Sequence, residues 1–291
     1  MSKSPSSSPE FSVRDFFKRF PDDDACLDHL MEQRYGLKCF CPSCGVETTF
    51  HRISDRKAFS GAACGHHVYP QAGTIFQDSR TPLQTWYYAI YLFIATRHGV
   101  SGKELQRTLG VTYKTAWRMG QQIRDLMAKA DGFTALRGHV EIDETYVGGK
   151  KIGNAGRVAG GKTIVMGMKQ RGGRIVTEVV PNVKMSTLKP IVLETIEEGT
   201  KVSTDELMSY GLLKPYGYDH GSVKHKAKEW KRGEHHINSL ESFWSLFKHS
   251  VRSTHIHVSP QHMARYVKEF SFRSNHRWRG NWMFDLVIGA A

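Results

Sequence analysis

The stretch His139–Lys150 reads HVEIDETYVGGK. Val140, Ile142 and Val147 are apolar and bracket Glu141, Asp143, Glu144 and Tyr146. Alternation of this kind predicts a β-strand, which Gly148-Gly149 ends in a turn. Three carboxylates, Glu141, Asp143 and Glu144, therefore fall within four residues of one strand. A solvated strand face is the plain explanation for such acids. Acids are poor strand formers, however, and Asp143 sits beside Ile142 in an apolar run. An acid forced into a core strand usually needs a partner, often a metal ion.

Downstream, the segment GGKKIGNAGRVAGGK is rich in glycine and lysine and is expected to be a mobile loop. TIVMGMKQ and GRIVTEVVP read as two strands joined around Gly172-Gly173. Ser186 to Glu197 reads as a helix with Leu188, Ile191, Val192 and Ile196 as its inner stripe. KVST is a short strand ending in Thr204-Asp205, followed by a turn of helix. Residues 214–236 are a polar, basic connection, and two helices close the chain, about Ser239 to Val251 and Pro260 to Arg273.

Three strands, a helix, a fourth strand ending in an acid and a late helix match the mixed α/β fold of ribonuclease H. In that arrangement Asp143 lies mid-strand and Asp205 lies at the tip of the neighbouring strand. The late helix, INSLESFWSLFKHSVRS, supplies the last group. Asn238, Glu241 and Lys248 fall on one stripe at about 100° per residue, with Phe243, Trp244 and Phe247 on the core side. Phosphodiester cleavage and joining by in-line displacement uses two divalent ions about 4 Å apart. Such ions are hard and want carboxylate oxygens, which points to Mg²⁺ or Mn²⁺ on Asp143, Asp205 and Glu241. Between Asn238 and Glu241 chemistry favours the carboxylate, while Asn238 could cap the helix or reach the same ion. The ammonium of Lys248 could hold a phosphate. His235, His236, His255 and His257 are read as surface or structural groups, because imidazole is not the usual partner of Mg²⁺.

Upstream, composition and cysteine spacing carry the reading. Lys plus Arg number 41 against 28 acids, a formal net charge of +13 over 291 residues. That excess points to a polyanion, most commonly nucleic acid. No apolar run approaches the roughly 20 residues of a spanning helix, so a membrane is not expected as partner. MSKSPSSSPE has no apolar signal region and reads as a disordered tail of a cytoplasmic, nucleoid-associated protein. All five cysteines lie in the first quarter of the chain, which favours metal over disulfides. Cys41-Pro-Ser-Cys44-Gly45 is a zinc-knuckle pattern, and Cys64-Gly65 follows at ribbon spacing. The second knuckle has only one cysteine, so the fourth ligand is left among His67, His66 and Cys39. LQTWYYAIYLFIATRHG is a buried helix. Ser101 and Thr112 then cap two helices separated by Gly110-Val111, a helix-turn-helix pattern. Tyr113, Lys114, Thr115 and Arg118 would face outward on the second helix and meet DNA.

The chain resembles the DDE-class insertion-sequence transposases, specifically the ISXO-type group with an N-terminal zinc ribbon. The likeness rests on EIDETYVGGK, on STDE…Y, on HHINSLESFWSLFKHSVRSTHIHVSPQHMARYVKEFSFRSNHR and on GTIFQDSRTPLQTWYYAIYLF. It runs from about residue 20 onward and departs at Gly61, where the group usually has a cysteine. The resemblance implies a ribonuclease H-like domain and Mg²⁺-dependent cleavage and strand transfer. It also implies that Asp143 and Asp205 are the first two catalytic acids, with Asn238, Glu241 and Lys248 in the region of the third. It further implies binding to element ends and target DNA as a homodimer or larger assembly in a prokaryote. The expected layout is a tail (1–10), N-terminal helices and zinc ribbon (11–80), a helical DNA-binding region (81–136) and the catalytic domain (137–291). A ribonuclease H-like nuclease without strand transfer, and an inactive zinc-ribbon regulator, are the alternatives.

Overall fold

The computed structural model describes residues 11–148, 162–205, 214–223, 231–280 and 282–291. The expected mobile loop at 148–162 and the helical turn after Asp205 lie largely outside them. The chain forms two compact units, one of residues 1–130 with 276–291 and one of residues 131–275.

The first unit opens with α1 (Val13–Arg19) and α2 (Asp23–Arg34). Ser12 caps α1 in a reciprocal capping box with Asp15, and Asp22 caps α2. Four short strands follow in the order β1 (Lys38–Phe40), β2 (Glu47–Arg52), β3 (Phe59–Gly61) and β4 (His67–Val68), each antiparallel to the next. The apolar α3 (Leu83–Ala95) buries Trp86, Tyr87, Ile90 and Phe93. Then come α4 (Gly102–Leu109) and α5 (Tyr113–Asp131). The Ser101 hydroxyl accepts from the Glu104 N–H at 3.1 Å, and Gly110 closes α4 at φ 67°, a left-handed value that glycine adopts without strain.

The sequence reading carried the catalytic domain to residue 291, and the structure corrects that boundary. The last helix, α9 (Trp282–Gly289), belongs to the first unit and packs against α2 and α3. Its Phe284 is fully buried with its ring 5.4 Å from Phe20 and 5.6 Å from Tyr87. Asp285 receives Arg19 and the buried His29, at 2.9 and 3.1 Å.

The second unit is a five-stranded mixed sheet. Its strands are β5 (His139–Val147), β6 (Thr163–Gln170), β7 (Ile175–Val180), β8 (Lys201–Thr204) and β9 (Asp219–Ser222), in the spatial order β7-β6-β5-β8-β9. β5, β6 and β7 are antiparallel neighbours, whereas β8 runs parallel to β5, and β9 to β8. This is the ribonuclease H-like sheet expected from the sequence, with one strand more: β9 lies inside the segment read as connection. Helix α6 (Met185–Thr195) covers one face, where Val140, Ile142, Met166, Met168 and Val202 pack on Leu188 and Val192. Helices α7 (Asn238–Ser250) and α8 (Met263–His276) cover the other, where Val147 and Val165 meet Leu240, Phe243, Trp244, Phe247 and Val267. Both faces are thus covered by helices. The alternation in β5 sends Val140 and Ile142 to the α6 side, and Glu141, Asp143 and Thr145 to the α7 side.

Candidate active site

The register of β5 decides what Asp143 faces. Asp143 is directly opposite Gly167 on β6, so the Asp143 side chain and the hydrogen that replaces a side chain at Gly167 lie on one face of the sheet. A Cβ at Gly167 would lie 2.5 Å from Trp244 Cζ2 and 3.0 Å from Leu240 Cδ1. Glycine there lets α7 settle onto the sheet beside Asp143. On the other side of β5, Ile142 pairs with Thr204. One step further along the same register puts Asp143 beside Asp205, on strands about 4.8 Å apart. From α7 the groups that reach this place are Glu241 and Lys248, both partly buried.

The electrostatics report the convergence. The Asp143 carboxyl is pushed up from an ordinary 3.8 to about 7, first by burial and next by the negative charge of Asp205. Glu241 adds to the rise, while Lys248 and a backbone hydrogen bond at Glu144 oppose it. Lys248 in turn is held below the usual lysine range, chiefly by burial, with Asp143 pulling the other way. Asp143, Asp205, Glu241 and Lys248 are therefore brought together. The three acids do not close into a group with all oxygens within 4.8 Å of one another; among the described residues only the cysteine cluster does so. Asn238 is the first residue of α7 and is exposed. It does not cap the helix. Ile237 is at the N-cap and offers no side-chain hydrogen bond.

The cap comes instead from Glu141, whose role the sequence reading missed. Its fully buried carboxylate accepts at Oε2 from the N–H groups of Ser239 and Leu240, both at 3.0 Å, and from the Ser239 hydroxyl at 2.7 Å. At Oε1 it accepts from Arg171 Nε at 2.9 Å. His236 Nδ1 lies 3.3 Å from Glu141 Oε1. His235 Nδ1 and His139 Nε2 flank the Ser203 hydroxyl at 2.9 and 2.7 Å, and His255 packs edge-on to Tyr266.

In the first unit, Cys41, Cys44 and Cys64 bring their sulfurs within 4.8 Å of one another, with Cys41 and Cys64 3.6 Å apart. The Cys41 thiol is held below its ordinary range, most by the backbone N–H at Cys44, which favours the thiolate a metal needs. His67, carried forward from the sequence as fourth ligand, does not join the cluster, nor do His66 and Cys39. The reason is register. His67 pairs with Ser60, one residue before Gly61, so its side chain leaves on the face opposite Gly61. The two knuckles repeat one backbone pattern. Cys41 N–H donates to the Val46 carbonyl and Gly45 N–H to the Cys41 carbonyl, while Gly61 N–H donates to the His66 carbonyl and Gly65 N–H to the Gly61 carbonyl, all at 2.9 Å. Gly45 and Gly65 match in φ, 69° and 71°. Gly61 thus stands where the fourth ligand of a closed site belongs.

On α5, Tyr113, Lys114 and Arg118 are exposed, as the sequence predicts, and Thr115 is half-buried. The Thr115 N–H is spent on the Thr112 cap at 3.2 Å, and Lys103 lies 4.8 Å over the Tyr113 ring.

Comparison with known proteins places these features in one group. The ISXO2-like transposase domain matches residues 135–275, and the transposase zinc-ribbon domain matches residues 21–67. The chain belongs to the ISXO2-like transposases. The two matches together take in more than half of the chain. A protein in transposable element ISH50 of Halobacterium salinarum is 28% identical over 278 residues, 88% of this chain and 92% of its own length. A transposase-like protein of Haemophilus influenzae is 29% identical over 103 residues, 35% of this chain and 82% of its own. Among solved structures, the Mos1 strand transfer complex is similar over 66% of this chain and 76% of that one, at 10% identity and a TM-score of 0.23, which is too loose an overlap to argue from. No described helix of this transposase is long and apolar enough to cross a membrane.

Proposed function

We propose that the second unit of this transposase cleaves DNA at the ends of its element and joins them to target DNA, with Asp143, Asp205 and Glu241 as oxygen ligands for divalent metal. The observation that carries the proposal is the state of Asp143. A carboxyl in the central strand is crowded by two further acids, and one nearby lysine opposes them. The donor set is all hard oxygen, which suits Mg²⁺ or Mn²⁺ and not a thiophilic ion. Such ions, when bound, stabilise charge on the attacking and leaving oxygens. The protein's part is placement. The rigid β5–β8 pair sets Asp143 and Asp205 side by side. Helix α7 carries Glu241, whose charge adds to the rise at Asp143, and the Lys248 ammonium would serve a flanking phosphate. For Asp143 to act as a ligand any proton it holds must leave, so deprotonation belongs to metal loading.

DNA is the substrate that the +13 charge favours, and we place its docking surface on α5 at Tyr113, Lys114, Thr115 and Arg118. The three thiolates of Cys41, Cys44 and Cys64 suit zinc, which would tie the two knuckles and contribute folding energy. We further propose action on paired ends as a dimer or larger assembly, and a cytoplasmic location.

A supercoiled plasmid carrying the element ends, incubated with protein and Mg²⁺, tests the proposal. Metal-dependent nicks at the ends and strand-joined target products are expected, and both should vanish in Asp143→Ala and Asp205→Ala. Nicks without joined products would reduce the activity to that of a nuclease. No cleavage in any metal would refute it.

A further inference from the structure

We infer that Glu141 and Arg171 form a clamp that sets Glu241 against Asp143, making Glu141 a positioning residue for the third acid; this rests on the metal-ligand reading above. Glu141 and Asp143 are two apart on β5 and leave it on the same face. Glu141 nevertheless meets the first free N–H groups of α7, a serine hydroxyl, a guanidinium and, at 3.3 Å, the His236 imidazole. A carboxylate on the orphan N–H groups at a helix start satisfies them and opposes the positive end of the helix dipole. Here that carboxylate is supplied by another element, so it fixes the helix in space. Leu240, which donates to it, immediately precedes Glu241.

Two more strand residues grip the same turn. Lys169, directly opposite Glu141 on β6, donates to the Ser239 carbonyl at 2.9 Å. Arg171 spreads its remaining nitrogens over the approach to α7. Nη1 reaches the Glu234 carbonyl at 2.8 Å and His139 Nδ1 at 3.0 Å, and Nη2 reaches the His236 carbonyl at 2.9 Å. The clamp therefore runs from the strand that carries Asp143 to the helix that carries Glu241. A glutamine at 141 would turn an N–H₂ group toward one of these donor sets, so the change from carboxylate to amide frees one arm of the clamp.

Metal binding by the full-length protein measures this without DNA cleavage. Mn²⁺ titration followed by electron paramagnetic resonance, with circular dichroism as the check on folding, is run on wild type, E141Q, R171K and D143A. E141Q is expected to weaken Mn²⁺ binding at least tenfold while remaining folded, and D143A to abolish it. R171K keeps the charge and loses the fork, and should fall between wild type and E141Q. E141D should recover part of the affinity, because the shorter carboxylate still accepts. If E141Q does not fold, R171K and Ser239→Ala, each removing one arm, carry the test. Wild-type Mn²⁺ affinity in folded E141Q, or in both single-arm variants, overturns the inference. Wild-type protein that binds Mn²⁺ through Asp143 but cuts no DNA would refute the transposition chemistry and leave the clamp standing. A protein whose Mn²⁺ binding ignores Asp143 overturns both.

Discussion

Replacing Asp143 with asparagine should stabilise the metal-free protein at alkaline pH. The carboxyl has a folded value of about 7 against an ordinary 3.8, because it is buried and beside Asp205 and Glu241. Between these two values the folded state holds a proton that the unfolded chain has released. The folded state binds more protons, so stability falls as pH rises through this window. The contribution is fully present below about pH 4 and gone above about pH 7. At about 1.4 kcal/mol per tenfold change in proton affinity, the difference amounts to an upper bound of about 4 kcal/mol. Asp143 is not fully buried, and water at its exposed edge reduces this to about 2–4 kcal/mol. An asparagine keeps the shape and never ionises. Urea unfolding in EDTA at pH 5 and pH 8.5 makes the comparison. The gap between D143N and wild type should widen in favour of D143N from the first pH to the second. Adding Mg²⁺ at pH 8.5 should reverse the order, because only the wild type gains the linkage energy of a bound ion. A D143N protein whose stability relative to wild type is the same at both pH values in EDTA would refute the crowding argument.

Three shorter tests address the remaining sites. Glu241→Ala should match Asp143→Ala in loss of end cleavage, whereas Lys248→Ala should mainly raise the DNA concentration needed for half-maximal rate; a Glu241→Ala enzyme within tenfold of wild type would move the third role to Asn238. Gly61→Cys should slow zinc release to a chromogenic chelator by adding a fourth thiolate. Its Cβ meets the Phe50 ring at 3.3 Å and Thr48 Cγ2 at 3.4 Å, so only a few tenths of an ångström of yielding is needed. Unchanged release would mean the position does not face the metal. Lys114→Ala with Arg118→Ala should weaken DNA binding and lower the slope of log affinity against log salt by about one per lost phosphate contact; an unchanged slope would move the DNA surface elsewhere.

The legible parts of this protein are those in which one segment carries its own signal. Strand β5 announces itself by alternation, and α4 and α5 by Ser101, Thr112 and Gly110. The cysteine spacing shows the ribbon, and the family resemblance marks its gap at Gly61. Strand β9 was hidden because DHGS contains no strong strand former, and it is a strand only by pairing with β8. Helix α9 was assigned to the wrong unit because WMFDLVIG is apolar nearly all round and says nothing of which core receives it. His67 looked equivalent to a ligand because spacing along the chain does not reveal on which side of β4 a side chain leaves. Glu141 was read only as one acid among three, since its partners lie 30 and 98–99 residues away.

That last failure bears on the chemistry. Two carboxylates two residues apart on one strand face have opposite surroundings. Glu141 is met by N–H groups and a guanidinium, and its charge is balanced within the fold. Asp143 is met by Asp205 and Glu241, and its carboxyl rises to about 7, first through burial and next through Asp205, with Glu241 adding and Lys248 opposing. The same sheet and helix that supply donors to one acid bring acids to the other. A site built in this way lowers its energy either by holding a proton or by taking up positive charge from outside. Protonation would leave the three acids with no common task. A divalent ion offers charge to all three at once, and for that reason we read the cluster as a metal site whose ligands are set by the clamp two residues upstream.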